Sequence, residues 1–159
     1  MGTVTFAGGV VQNGTFISTG TAYVAQSGTV SAILAGTQNL VKSGSGALTL
    51  SGVNSYSGGT TVSAGSLLLF GGDNRLLTSG SIMTTGGVLD LGGNSQTTLG
   101  TITFAGGVVQ NGTFISTGSA YVGQADPSRQ MAAYWILAVM VKRHWERSRL
   151  LVAWFRTGF

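Results

Sequence analysis

The stretch that decides the fold is Leu40–Phe70, LVKSGSGALTLSGVNSYSGGTTVSAGSLLLF. Its apolar residues alternate with small polar ones at a period of two, the mark of a strand with one buried face. Leu48 and Leu50 share a face and Thr49 points away. Glycine, serine and asparagine close each run after three to five residues, as turn chemistry requires. The pattern continues outward on both sides. In TVTF, Val4 and Phe6 share a face; in VLDL, Leu89 and Leu91 point inward and Asp90 outward. Further runs are TFIS, AYVA, TVSAIL, SIMT and TITF. Helix is disfavoured through this body, because glycine recurs every few residues and costs roughly 1 kcal/mol at each helix-interior position.

A long internal repeat narrows the architecture. Thr3–Gln26 returns as Thr101–Gln124 with three differences, Val4/Ile102, Thr21/Ser119 and Ala25/Gly123. The 98-residue offset is too long for one structural unit and implies a block of several. Strand–turn–strand units that bury their core only against neighbours stack into a solenoid. With roughly 20–25 residues per rung and about 4.8 Å between rungs, the body makes five or six rungs over about 25–30 Å. A sandwich or barrel is the rival, since both use short strands and turns. Each copy holds an Asn-Gly-Thr, formally a glycosylation sequon. Asn-Gly is also a strong turn dipeptide, and the turn reading is preferred.

The ordered run Lys42, Gly44, Gly46, Leu48, Thr49, Leu50, Ser51, Gly52, Asn54, Tyr56, Ser57, Gly58, Gly59, Thr60, Thr61, Val62, Ala64, Gly65 and Leu67 resembles the autotransporter-associated β-strand repeat, or passenger-associated transport repeat. The resemblance covers about a fifth of the chain. It implies an all-β fold, a right-handed parallel β-helix, in the passenger of a bacterial type V secreted protein. It also implies a surface or secreted location for the parent protein. The implied partners are neighbouring rungs of a longer passenger and an outer-membrane translocator. Such proteins carry a signal peptide and a C-terminal barrel. Neither is visible here, which reads as a fragment or a partial gene product. A low-charge chain without cysteine suits passage through a narrow pore, and each folded rung can template the next along its open edge.

Chemistry is sparse. The net charge of +4 divides unevenly: residues 1–125 balance Lys42 and Arg75 against Asp73 and Asp90, and the whole excess lies in residues 126–159. The body therefore has no field with which to gather nucleic acid. No cysteine exists, so disulfides and thiolate metal sites are excluded. Asp73 and Asp90 are the only acids of the body; an enzyme acting on polysaccharide needs a positioned pair, and turn and strand positions explain both better. His144 has no second histidine to share a metal. Gly44-Ser45-Gly46 lacks the third glycine of a dinucleotide loop. The expectation is a non-enzyme without cofactor or metal. Its role is structural support of export and display, with an adhesin-type module for glycans or host matrix as the alternative.

The composition changes near Ala125. Residues 1–125 form the expected solenoid, and residues 126–159 a basic tail holding all three tryptophans, Trp135, Trp145 and Trp154. Asp126-Pro127 suits a helix start, and Met131–Val141 is apolar but too short to span a bilayer. Three readings stay open: a frameshifted or truncated terminus, a helical cap on the solenoid end, and a segment that contacts a membrane.

Overall fold

The structure is a computed structural model and describes residues 2–118 together with the strand 121–123. The first rung holds β1 (Val4–Phe6), β2 (Val10–Val11) and β3 (Thr15–Ile17). The second holds β4 (Ala22–Ala25), β5 (Gly28–Val30) and β6 (Ile33–Ala35). The third has β7 (Asn39–Lys42) and β8 (Ala47–Leu50), and the fourth β9 (Thr60–Val62) and β10 (Ser66–Leu69). The fifth has β11 (Ile82–Thr84), β12 (Val88–Asp90) and β13 (Ser95–Thr98). The sixth has β14 (Ile102–Phe104), β15 (Val108–Gln110) and β16 (Thr113–Ser116), and β17 (Tyr121–Gly123) lies one step further on.

Equivalent strands pair in parallel from rung to rung. One face runs β1-β4-β7-β9-β11-β14-β17 and a second runs β2-β5-β8-β10-β12-β15. A third face is paired at β3-β6 and again at β13-β16. Each return to a face is the remainder of a rung, which supplies the crossover a parallel pair needs. The all-β, parallel β-solenoid expectation therefore holds, with about six turns among the described residues. A sandwich or barrel would need other pairings than this rung-by-rung ladder.

Val4, Tyr23, Leu40, Thr60, Ile82, Ile102 and Tyr121 form one column of register partners, so successive rungs are 17 to 22 residues long. That is shorter than expected, because glycine-bearing corners turn the chain in a few residues. The 98-residue offset of the duplication equals five rungs. Val4 and Ile102 consequently stand on the same column, in the first and sixth rungs.

The core is a narrow stack. Leu48, Leu67 and Leu89 are register partners and each is fully buried. Leu50 and Leu69 form the adjoining column, also buried. Burial of one such leucine stabilises by about 1.5–3 kcal/mol. Outward positions of the same strands carry Thr29, Thr49, Leu68 and Asp90. At the sequon positions Asn13 and Asn111 adopt left-handed backbone with φ of 62° and 54°, so both act as the turns expected of Asn-Gly. The expected tail, 126–159, lies outside the described residues.

Replacing Leu67 by alanine should lower the unfolding free energy by about 2–5 kcal/mol, through lost burial and a cavity the stacked rungs cannot close. Val53→Ala, at an exposed position, should change it by less than about 0.5 kcal/mol. Urea unfolding followed by circular dichroism checks both, and equal effects would contradict the assigned core.

Candidate functional site

The repeat motif fills the third rung and the first two sides of the fourth. Lys42, Leu48, Leu50, Asn54, Tyr56, Thr60, Val62 and Leu67 all lie buried in the interior. Thr49 pairs in register with Thr29 and Leu68, and Thr61 with Val41 and Met83, each on the outward side of its strand. Ser51, Ser57 and Ala64 occupy the corners. Their amides donate to the preceding rung, at Val30, Gly36 and Lys42 respectively. Gly44 and Gly46 form the turn before β8, and Gly59 leads into β9, its carbonyl accepting from Leu40.

Asn54 stands where the third face has no paired strand, and its side chain replaces the missing ladder. Its Oδ1 accepts from the Leu34 amide at 2.9 Å, on the second rung. Its Nδ2 donates to Gly52 O at 3.0 Å and to Arg75 O, on the fourth rung, at 2.9 Å. One amide thus ties three successive rungs. Buried backbone groups need such partners, because leaving one unpaired costs about 1–3 kcal/mol.

Lys42 is an interior cation. Its Nζ donates to the Gly44 carbonyl and, at 3.1 Å, to Ala64 O. Its own carbonyl accepts from the Ser63 amide and the Ser63 hydroxyl. Burial holds its ammonium below the ordinary lysine value of 10.5. Gly65 is fixed by this arrangement. Its φ is +62°, and a Cβ there would meet the Gly44 and Gly46 carbonyls and lie 2.6 Å from Lys42 Nζ. Gly58 is fixed by close approach: a Cβ would lie 2.5 Å from Asn39 N of the rung before.

Tyr56 is buried beside Tyr23, with ring centroids 6.2 Å apart, and its hydroxyl shares a 2.7 Å hydrogen bond with Thr60 Oγ1. Burial pushes that phenol well above its usual range. It is therefore neutral and structural, not an acid poised for catalysis.

The two acids of the body tie the corners of successive rungs. Asp73 Oδ1 accepts from the Ser95 amide at 2.7 Å. Asp90 Oδ1 accepts from Gly92 N at 2.9 Å, and Oδ2 from Gln110 Nε2 at 3.0 Å and Asn111 Nδ2 at 2.7 Å. Partial burial pushes the Asp90 carboxyl up, but the bonds from Gln110, Gly92 and Asn111 outweigh it and hold the pKa low. No group of three or more metal-ligating side chains occurs among the described residues. A shallow depression of about 260 Å³ beside Gly59, Thr61, Met83 and Thr103 holds no titratable side chain.

Sequence reasoning missed Gln96. Its Oε1 accepts from the Leu76 amide at 3.0 Å and its Nε2 donates to Leu76 O at 3.1 Å, the same device as Asn54 on the other side of the gap. Its signal was a polar residue at an inward parity in SQTT. Tyr23 was also missed. Its hydroxyl donates to Ala35 O at 2.6 Å and accepts from the Ser18 amide at 2.9 Å.

Asn54→Ala should destabilise by about 1–3 kcal/mol for each stranded backbone group. Asn54→Asp should fail as well, since a carboxylate cannot donate to Gly52 O and Arg75 O. Lys42 gives a pH signature. Its folded pKa lies below 10.5, so between the two values the unfolded chain binds more protons. Stability should therefore rise with pH across that interval. Lys42→Met should flatten the rise, and unfolding curves at successive alkaline pH values check it.

Comparison with known proteins places these contacts. Residues 40–69 match the family model for the passenger-associated-transport-repeat. Over 78 residues, 49% of this chain, the sequence is 37% identical to "Adhesin BmaC autotransporter" of Brucella suis biovar 1 (strain 1330). The match spans only 2% of the length of that relative. No solved structure matches. Residues 40–69 thus carry a passenger-associated transport repeat, folded as the third rung and the start of the fourth.

Proposed function

We propose that this chain is a structural passenger segment that supports export and surface display of a parent protein. The observation that carries the reading is the direction of the motif side chains. Lys42, Leu48, Leu50, Asn54, Tyr56, Thr60, Val62 and Leu67 are buried, while Thr49, Thr61 and Ser57 point outward, and Asn54, Lys42 and the glycines are spent on joining rungs. Such a motif makes each finished rung a template for the one after it. In export, folding outside a pore would then oppose backward movement of the chain. The partners of this reading are further rungs of a longer passenger and an outer-membrane translocator. The proposed unit is residues 1–125, with 126–159 as a separate tail.

The test fuses the full chain between a secretory signal and an autotransporter barrel, then measures protease-accessible passenger on whole cells. Leu48→Asp with Leu50→Asp should reduce display several-fold, and Val53→Ala should leave it unchanged. Equal display by all three proteins overturns the export role.

The relative's printed name favours a second reading, an adhesin-type module for glycans or host matrix. Threonines Thr5, Thr29, Thr49, Thr61 and Thr103 at outward positions provide hydroxyls for such contacts. Adhesion lost on replacing Thr61 and Thr103 by arginine, with display intact, would support it. Undiminished adhesion would count against it. An enzyme reading gains no support, since Asp73 and Asp90 are each engaged with polar groups of the following rung.

A further inference from the structure

The turn at Asn111-Gly112 carries a second chemistry besides its geometry. Glycine offers no side chain to shield its own nitrogen, so in Asn-Gly that nitrogen can attack the amide of the preceding side chain. Here Gly112 N would bond to Asn111 Cγ, and Nδ2 would leave as ammonia with the proton of the Gly112 amide. Water then opens the cyclic imide at either carbonyl. The product is an aspartate, or a β-linked isoaspartate whose main chain is one carbon longer. Water is the only other reactant.

The folded corner opposes the first step. Asn111 Nδ2 donates to Asp90 Oδ2 at 2.7 Å, and the Asn111 carbonyl accepts from the Gly93 amide at 2.6 Å. Asp90 is itself anchored by the Gly92 amide at 2.9 Å and by Gln110 Nε2 at 3.0 Å. Gly112 lies close on the fifth rung: a Cβ there would stand 2.3 Å from Asn94 O. Closing the ring swings Cγ of Asn111 onto Gly112 N. That pulls Nδ2 from Asp90 and turns the carbonyl away from Gly93. Both ties run from the sixth rung to the fifth, so they exist only while the two are stacked. The product cannot remake the corner. A carboxylate at position 111 has no proton to donate, and it stands against that of Asp90, whose pKa is held low.

We propose that Asn111-Gly112 is a site of spontaneous deamidation, protected by Asp90 in the stacked rungs and open in the unfolded chain. Time spent unfolded is then recorded as a carboxylate at the junction of the fifth and sixth rungs, and a chain so marked closes that junction less well. This inference does not depend on the export role.

The full chain is incubated in mildly alkaline buffer with and without guanidinium chloride, and conversion at Asn111 is followed by peptide mass spectrometry. Trypsin cuts after Lys42, Arg75 and Arg129, so Asn111 and Asn13 fall in different peptides. Conversion at Asn111 should be several-fold slower in the folded chain than in the denatured one. Asp90→Ala, checked for native circular dichroism, should speed it several-fold without denaturant. Asp73→Ala, which frees the Ser95 amide at another corner, should not. A charge exchange keeps the test decisive if Asp90→Ala does not fold. Asn111→Asp should lower the denaturation midpoint, and adding Asp90→Asn should recover most of the loss, because an amide again faces a carboxylate. Equal rates in folded and denatured chains, equal acceleration by Asp73→Ala and Asp90→Ala, or no recovery in the exchanged pair overturns the proposal.

Discussion

In-register parallel stacking is the constraint on which this structure depends. A strand of three or four residues has too little surface to be stable alone, so every rung takes its backbone partners from the rungs before and after it. Register fixes everything else. A slip of one residue would send Leu48, Leu67 and Leu89 to the solvent side and bring Thr49, Leu68 and Asp90 inside. The corners hold that register. Glycines such as Gly58 and Gly65 allow adjacent rungs to approach where a Cβ would meet backbone.

The stack tolerates polar side chains in its interior only where they stand in for missing backbone. Between β6 and β13 the third face loses its ladder, and Asn54 and Gln96 bridge the interval with their amides. Lys42 does the same at another corner, where carbonyls of the third and fourth rungs converge on its ammonium. A leucine at any of these positions would fill space but strand a donor or an acceptor. That is why the repeat motif specifies polar residues as firmly as leucines.

Much of this was legible in the sequence. Alternation in ALTLS and VLDL told inward from outward, because a two-residue period maps directly onto the two sides of a strand. Asn-Gly told the turns at Asn13 and Asn111, because few other residues accept left-handed backbone. The order of the motif told the solenoid. The inward course of Lys42 was not legible, since lysine at a strand end ordinarily reads as solvated. Nor was Gln96, whose partner Leu76 lies twenty residues earlier; only stacking brings the two together. Rung length was overestimated because composition does not say how few residues a corner needs.

The duplication shows how far neighbours, rather than sequence, decide burial. Phe16 and Phe114 have the same flanks and the same aromatic companion, yet one is exposed and the other enclosed. The difference is one rung. Asp90 has counterparts to bind on the sixth rung, while among the described residues the same glutamine and asparagine on the first rung face no acid. A solenoid rung is thus half of an interface, and its stability belongs jointly to itself and to whatever precedes it.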